Sequence, residues 1–119
     1  MKKNDTNQIL ESLKKKGFAI IDNYFTQDFC NKVILEIENK IRDKDFTNNQ
    51  SQTSGGDTRL YKFENVSYDA KKFSEDQFLL SIADEYIEKK LSTHFVLAGK
   101  LEYSEDTKAS SGGGWHRDS

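Results

Sequence analysis

Gly112-Gly113-Gly114-Trp115-His116-Arg117-Asp118-Ser119 is the stretch that decides how this 119-residue chain is read, because it sets His116 and Asp118 two positions apart. In an extended backbone, residues i and i+2 point to the same side, so an imidazole nitrogen and a carboxylate oxygen converge on one point. That is two thirds of a two-histidine, one-carboxylate facial triad, the ligand set that holds Fe(II) and leaves the opposite coordination positions open. A bare His-x-Asp arises often by chance, so its surroundings have to carry the argument. Three consecutive glycines allow the chain to turn sharply into a strand beside a buried ligand. Trp115 alternates with His116 and is expected to face the other side and pack under a sheet, which a solvated tail would not require.

Working outward, Ser111 joins the motif, and far upstream Gly17-Phe18-Ala19-Ile20-Ile21-Asp22-Asn23-Tyr24-Phe25 precedes a helical pattern. Together these segments resemble the iron-binding segment and the glycine-led opening strand of the phytanoyl-CoA dioxygenase-like family of Fe(II)/2-oxoglutarate oxygenases. The order of the remaining elements fits across nearly the whole chain, and the C-terminal motif is the specific part. The resemblance implies an α+β fold, with N-terminal helices packed on the first strands of a double-stranded β-helix, the cupin-like jelly roll. It also implies His116 and Asp118 as iron ligands, with 2-oxoglutarate as co-substrate, O2 and a small-molecule or lipid-like substrate. Related halogenases leave the carboxylate position empty for halide, so Asp118 favours hydroxylation.

A jelly roll needs about eight strands, and the family places its second iron histidine and its 2-oxoglutarate arginine downstream of His-x-Asp. The expectation is therefore that residues 1–119 are the N-terminal part of a single oxygenase domain cut after the motif, inactive alone. Two other readings stay open: a non-catalytic jelly-roll binding module, and an unrelated small interaction domain whose terminal motif is accidental. Sequence beyond Ser119 would separate them.

Composition agrees with a partial domain, since 34% hydrophobic and 32% charged residues with a mean hydropathy of -0.83 leave a thin core. A net charge of -2 and no basic stripe give phosphate backbones nothing to hold, so nucleic acid is not expected as a partner. Lys2 and Lys3 are followed by polar residues where a secretory leader needs an apolar run, and no segment approaches membrane-spanning length. A cytoplasmic protein without a membrane partner is expected, of undetermined oligomeric state. The single cysteine, Cys30, excludes an internal disulfide and a cysteine-based zinc cluster.

The spacing predicts a helix over 6–16 stopped by Gly17, and a short buried strand over 18–22. Next comes a helix capped by Thr26 with Cys30, Val33, Ile34, Ile37 and Ile41 on one face. Cys30 is expected there as a small core residue. Residues 42–57 read as a mobile loop or solvated connector, and 58–63 as a strand with Arg59, Tyr61 and Phe63 on one face. Ser74 with Gln77 forms a capping box, and Phe73 with Phe78 a staple, for a helix packed on the sheet through Ile82 and its neighbours. Residues 93–103 read as a long strand, with Phe95, Leu97, Gly99, Leu101 and Tyr103 on one face and Val96, Ala98, Lys100 and Glu102 on the other.

His94, the only other histidine, precedes the motif and is expected at a strand end on the surface rather than on the metal. Lys100 and Arg59 are cationic candidates for the 2-oxoglutarate carboxylate, which wants a charge-assisted donor, or else face solvent. No phosphate loop and no Gly-x-Ser-x-Gly elbow is present, so metal chemistry is the chemistry the sequence suggests.

Overall fold

Thr26 starts the longest helix by accepting the Phe29 N–H on its hydroxyl oxygen at 3.1 Å, which satisfies one of the four donors a helix N-terminus leaves unpaired. The computed structural model of the chain describes residues 3–43, 50–52, 57–90 and 94–101. Along them run α1 (Lys3–Lys16), α2 (Gln27–Arg42), β1 (Gln50–Gln52), β2 (Asp57–Leu60), a 3₁₀ turn (Phe63–Asn65), α3 (Tyr68–Ser74), α4 (Gln77–Ile87) and β3 (Ala98–Leu101). Asp28 in the first turn of α2 and Lys40 and Arg42 in its last turn complement the helix dipole. Thr26→Ala is expected to lower the unfolding free energy by about 1 kcal/mol, read as a lower urea midpoint at unchanged slope. An unchanged midpoint would deny the cap any weight.

Helix α1 ends where the glycine predicts, with Gly17 at φ +81 and its N–H on the Leu13 carbonyl at 2.9 Å. It begins at Lys3 rather than Thr6. The expected strand after it does not pair with the sheet; 18–21 run without a ladder, and Phe18 and Ile20 are 58% and 76% exposed. Asn23, at φ +55, then turns the chain into α2.

The three strands form an antiparallel sheet in the order β1-β2-β3. Its register sets Leu60 opposite Ala98, Arg59 opposite Gly99 and Thr58 opposite Lys100. Directly opposed residues share a face and successive ones alternate. Leu60 and Ala98 therefore face inward, where they join Phe63 and Ala70 in the core, with Ile37 and Ile41 of α2 and Val96 packed against them. The other face carries Arg59, Gly99 and Leu101, and Leu101 is 74% exposed. Helices cover one side of this sheet.

Strand β2 stops at Leu60, short of the expected Phe63. Lys62 adopts φ +52 and the chain enters the 3₁₀ turn, whose Phe63 N–H donates to the Val96 carbonyl at 3.0 Å. Phe63 thus drops into the core with no exposure, whereas Tyr61, expected on the same face, stays 40% exposed. Residues 94–97 lie outside the ladder because the turn takes their backbone: the Val96 N–H donates to a Glu64 carboxylate oxygen at 2.8 Å. The alternation expected for the long strand nevertheless holds, with Val96 and Ala98 inward and Phe95 and Leu97 exposed. Of the expected loop at 42–57, Gln50–Gln52 pairs with β2; residues 44–49 and 53–56 lie outside the described ones.

The capping box at Ser74 is replaced by two other caps. Ser67 caps α3, accepting the Ala70 N–H at 2.9 Å and donating to a Glu36 carboxylate oxygen of α2. It is 2% exposed. Asp76 caps α4 through the Leu79 N–H at 2.9 Å, while Ser74 closes α3 and donates to the Lys71 carbonyl. A carboxylate at Asp76 suits both the open amides and the dipole of α4. The principal partner of α4 is α1 rather than the sheet, and Leu10 and Ile82 are the buried apolar residues of this pair.

Tyr24 ties the α2 entrance to α4, its hydroxyl donating to both Asp76 carboxylate oxygens at 2.9 Å. Burial first, then the Asp76 carboxylate, raise the phenol above its ordinary value of 10.0. The folded state therefore holds this proton more tightly than the unfolded chain. Its stabilisation is complete below the unfolded value and lost as pH rises through the folded one. Denaturation midpoints are expected to fall above about pH 10, less steeply in Tyr24→Phe. Equal alkaline slopes would remove this coupling.

Candidate functional site

His116 and Asp118 lie outside the described residues. The two cationic candidates are on neighbouring strands but on opposite faces, since Lys100 opposes Thr58 and Arg59 opposes Gly99. Lys100 projects to the helix side, where its ammonium lies 3.5 Å from a Glu38 carboxylate oxygen of α2. Both side chains of that pair are about one third exposed (38% and 34%), so the contact is a modest surface ion pair. Arg59 is half-buried on the face away from Lys100, opposite Gly99, which adds no side chain of its own.

His94 is exposed and lies ahead of β3, in a shallow recess of about 200 Å³ with Gln77, Leu80, Ser81, Asp84 and Lys90. Among the described residues, no group of three His, Cys, Asp or Glu side chains is arranged to hold a metal ion.

The feature that sequence reasoning missed is an apolar groove of about 380 Å³ between α2, α3 and the approach to β3. Its walls include Phe25, Phe29, Cys30, Val33, Ile34, Ile37, Phe73, Val96 and Ala98, and the buried Phe63 and Ala70 close it. An aromatic chain runs along one wall: Phe25 stacks on Phe29 at 4.9 Å between ring centroids and meets Phe73 at 5.6 Å. The signal for it was the helical stripe of α2, read as a core face. No residue of α2 is buried, however, because α3 and the sheet reach only its Ile37–Ile41 end. Cys30 accordingly is exposed, not the core residue expected, and Ile34 is 51% exposed.

No family model, no curated protein and no solved structure matches this chain. No helix of the described residues is long and apolar enough to cross a membrane.

Proposed function

We propose that the chain is the N-terminal portion of a non-haem Fe(II)/2-oxoglutarate oxygenase of the phytanoyl-CoA dioxygenase-like type, hydroxylating a small or lipid-like molecule in the cytoplasm. The observation that carries the reading is His116-x-Asp118 behind three glycines and a tryptophan. One imidazole and one carboxylate form a donor set that fits Fe(II). Bound Fe(II) with 2-oxoglutarate would supply oxidation of an unreactive C–H bond by O2. His116 and Asp118 would hold the metal, and the carboxylate would offset its charge. Lys100 meets Glu38 on the helix side and Arg59 lies on the other face of the sheet; both remain candidates for a co-substrate carboxylate.

Two ligands alone form an incomplete site, so the 119-residue chain is expected to bind Co(II) weakly, and His116→Ala with Asp118→Ala to bind still less. Calorimetric titration decides. Tight stoichiometric binding by the chain alone would mean that a third ligand lies within it and would return His94 to consideration. No difference between the unaltered chain and the double variant would take the metal away from the motif. The enzymatic test is succinate release dependent on 2-oxoglutarate by the complete parent protein; a parent without such turnover would end the oxygenase reading and leave the binding module and the unrelated small interaction domain.

A further inference from the structure

Helices α1 and α4 end together, and their shared end carries charge and exposed apolar side chains that the oxygenase chemistry does not use. The order of contacts along the chain sets the direction of the pair. After Gly17 the chain returns along α1, with the Ser12 hydroxyl donating to the Phe18 carbonyl at 2.9 Å and Asp22 reaching the recess that Asp5 lines. Tyr24 then bonds Asp76 at the start of α4, and further along, Glu85 of α4 shares a recess with Lys14 of α1. The two helices therefore run parallel, so that α1 at Lys16 and α4 at Ile87 finish at one end of the pair. Lys14, Lys15 and Lys16 close α1 there, all exposed, and exposed Lys89 and Lys90 follow α4. Segments 11–18 and 85–90 hold five lysines against three glutamates, a positive surplus in a chain whose net charge is -2; one of the three, Glu11, pairs with Lys15. Lysines at a helix C-terminus complement the dipole, but the apolar side chains beside them need another account. Phe18 is 58% exposed, Tyr86 43% and Ile87 49%. Gly17 at φ +81 and the Ser12 bond hold the Phe18 backbone against α1 and leave its ring outside.

We propose that this end rests on an anionic lipid surface, with the lysines among the headgroups and Phe18 and Ile87 entering the acyl boundary. Positive charge draws such an end to the surface, and the adjacent apolar area holds it there. The cytoplasmic leaflet is the one rich in anionic lipid. Resting on a surface needs no spanning helix, so the proposal replaces the expectation of no membrane partner with a peripheral one. It goes beyond the oxygenase reading and is independent of it, since neither metal nor co-substrate enters.

Vesicle flotation decides, because bound protein rises with the lipid while self-associated protein stays below. The 119-residue chain and the complete parent protein are both expected to float with vesicles of phosphatidylcholine and phosphatidylserine, and not with vesicles of phosphatidylcholine alone. Binding should weaken as salt rises from about 0.1 M to about 1 M, where the screening length shrinks from about 10 Å to about 3 Å. A lysine near the surface is worth about fivefold in affinity, so Lys14→Gln, Lys15→Gln and Lys16→Gln together should lower it about 100-fold. Phe18→Ser should lower it about tenfold. Both variants alter exposed side chains, and helical circular dichroism checks that the fold is kept. Should either unfold, the comparison of the two vesicle compositions stands on its own. Equal flotation with both kinds of vesicle, or undiminished binding by the lysine variant, would overturn the proposal. So would Phe18→Ser binding as tightly as the unaltered chain, which would leave only a diffuse attraction of charges. A parent protein that stays below while the 119-residue chain floats would also overturn it, by showing that the rest of the parent covers this end.

Discussion

Asp118→Ala in the complete parent protein is expected to abolish succinate release dependent on 2-oxoglutarate, while His94→Ala leaves it nearly intact. Losing a group that merely orients a metal ligand typically costs about 10–100-fold in affinity or activity, so losing a ligand itself should cost at least about 100-fold. It also leaves the metal with a positive charge that the site no longer balances. His94 has a different setting: it is exposed, beside α4 residues Gln77, Ser81 and Asp84, ahead of the sheet. Turnover and metal content measured together separate the cases. Wild-type turnover in Asp118→Ala would end the metal assignment, and a dead His94→Ala with an active Asp118→Ala would put the site on the other histidine.

Phe63→Ala is expected to cost about 3–5 kcal/mol, a large part of the roughly 5–15 kcal/mol that holds a small domain folded. Phe63 has no exposure and lies in one cluster with Leu60, Ala70 and Ala98, so its removal leaves a cavity where the sheet, the 3₁₀ turn and α3 meet. Tyr61→Ala, two residues earlier and 40% exposed, loses far less packing and should cost well under half as much. Urea denaturation of both variants at equal slope provides the comparison. Similar losses for the two would mean that Phe63 does not enter the core from the turn.

That pair shows where sequence reading reached its limit. Alternation put Arg59, Tyr61 and Phe63 on one strand face, but Lys62 at φ +52 ends the strand first, and nothing in the local pattern marks a lysine for that conformation. The bond from the Phe63 N–H to the Val96 carbonyl spans the chain and offsets the strain. Ser74 looked like a cap because a glutamine follows three residues on, yet Asp76 is the better acceptor at α4 and also receives Tyr24. The segment 18–22 has strand composition, but pairing depends on a neighbour, and the ladder forms elsewhere.

Local chemistry was enough for the stop at Gly17, the Thr26 cap, the helical stripe of α2 and the inward set of Val96 and Ala98, because each depends on φ/ψ preference or on a period the residues themselves carry. It also supplied the His-x-Asp pair, which needs only two side chains and a spacing. Which side of the sheet the helices cover, that Lys100 meets Glu38 while Arg59 faces away, and that the apolar stripe of α2 lines a groove instead of closing a core were set by long-range packing. Those outcomes depend on how α2, α3 and the strands divide a small apolar area among themselves, and burial is a property of the assembled neighbours rather than of any residue in the line.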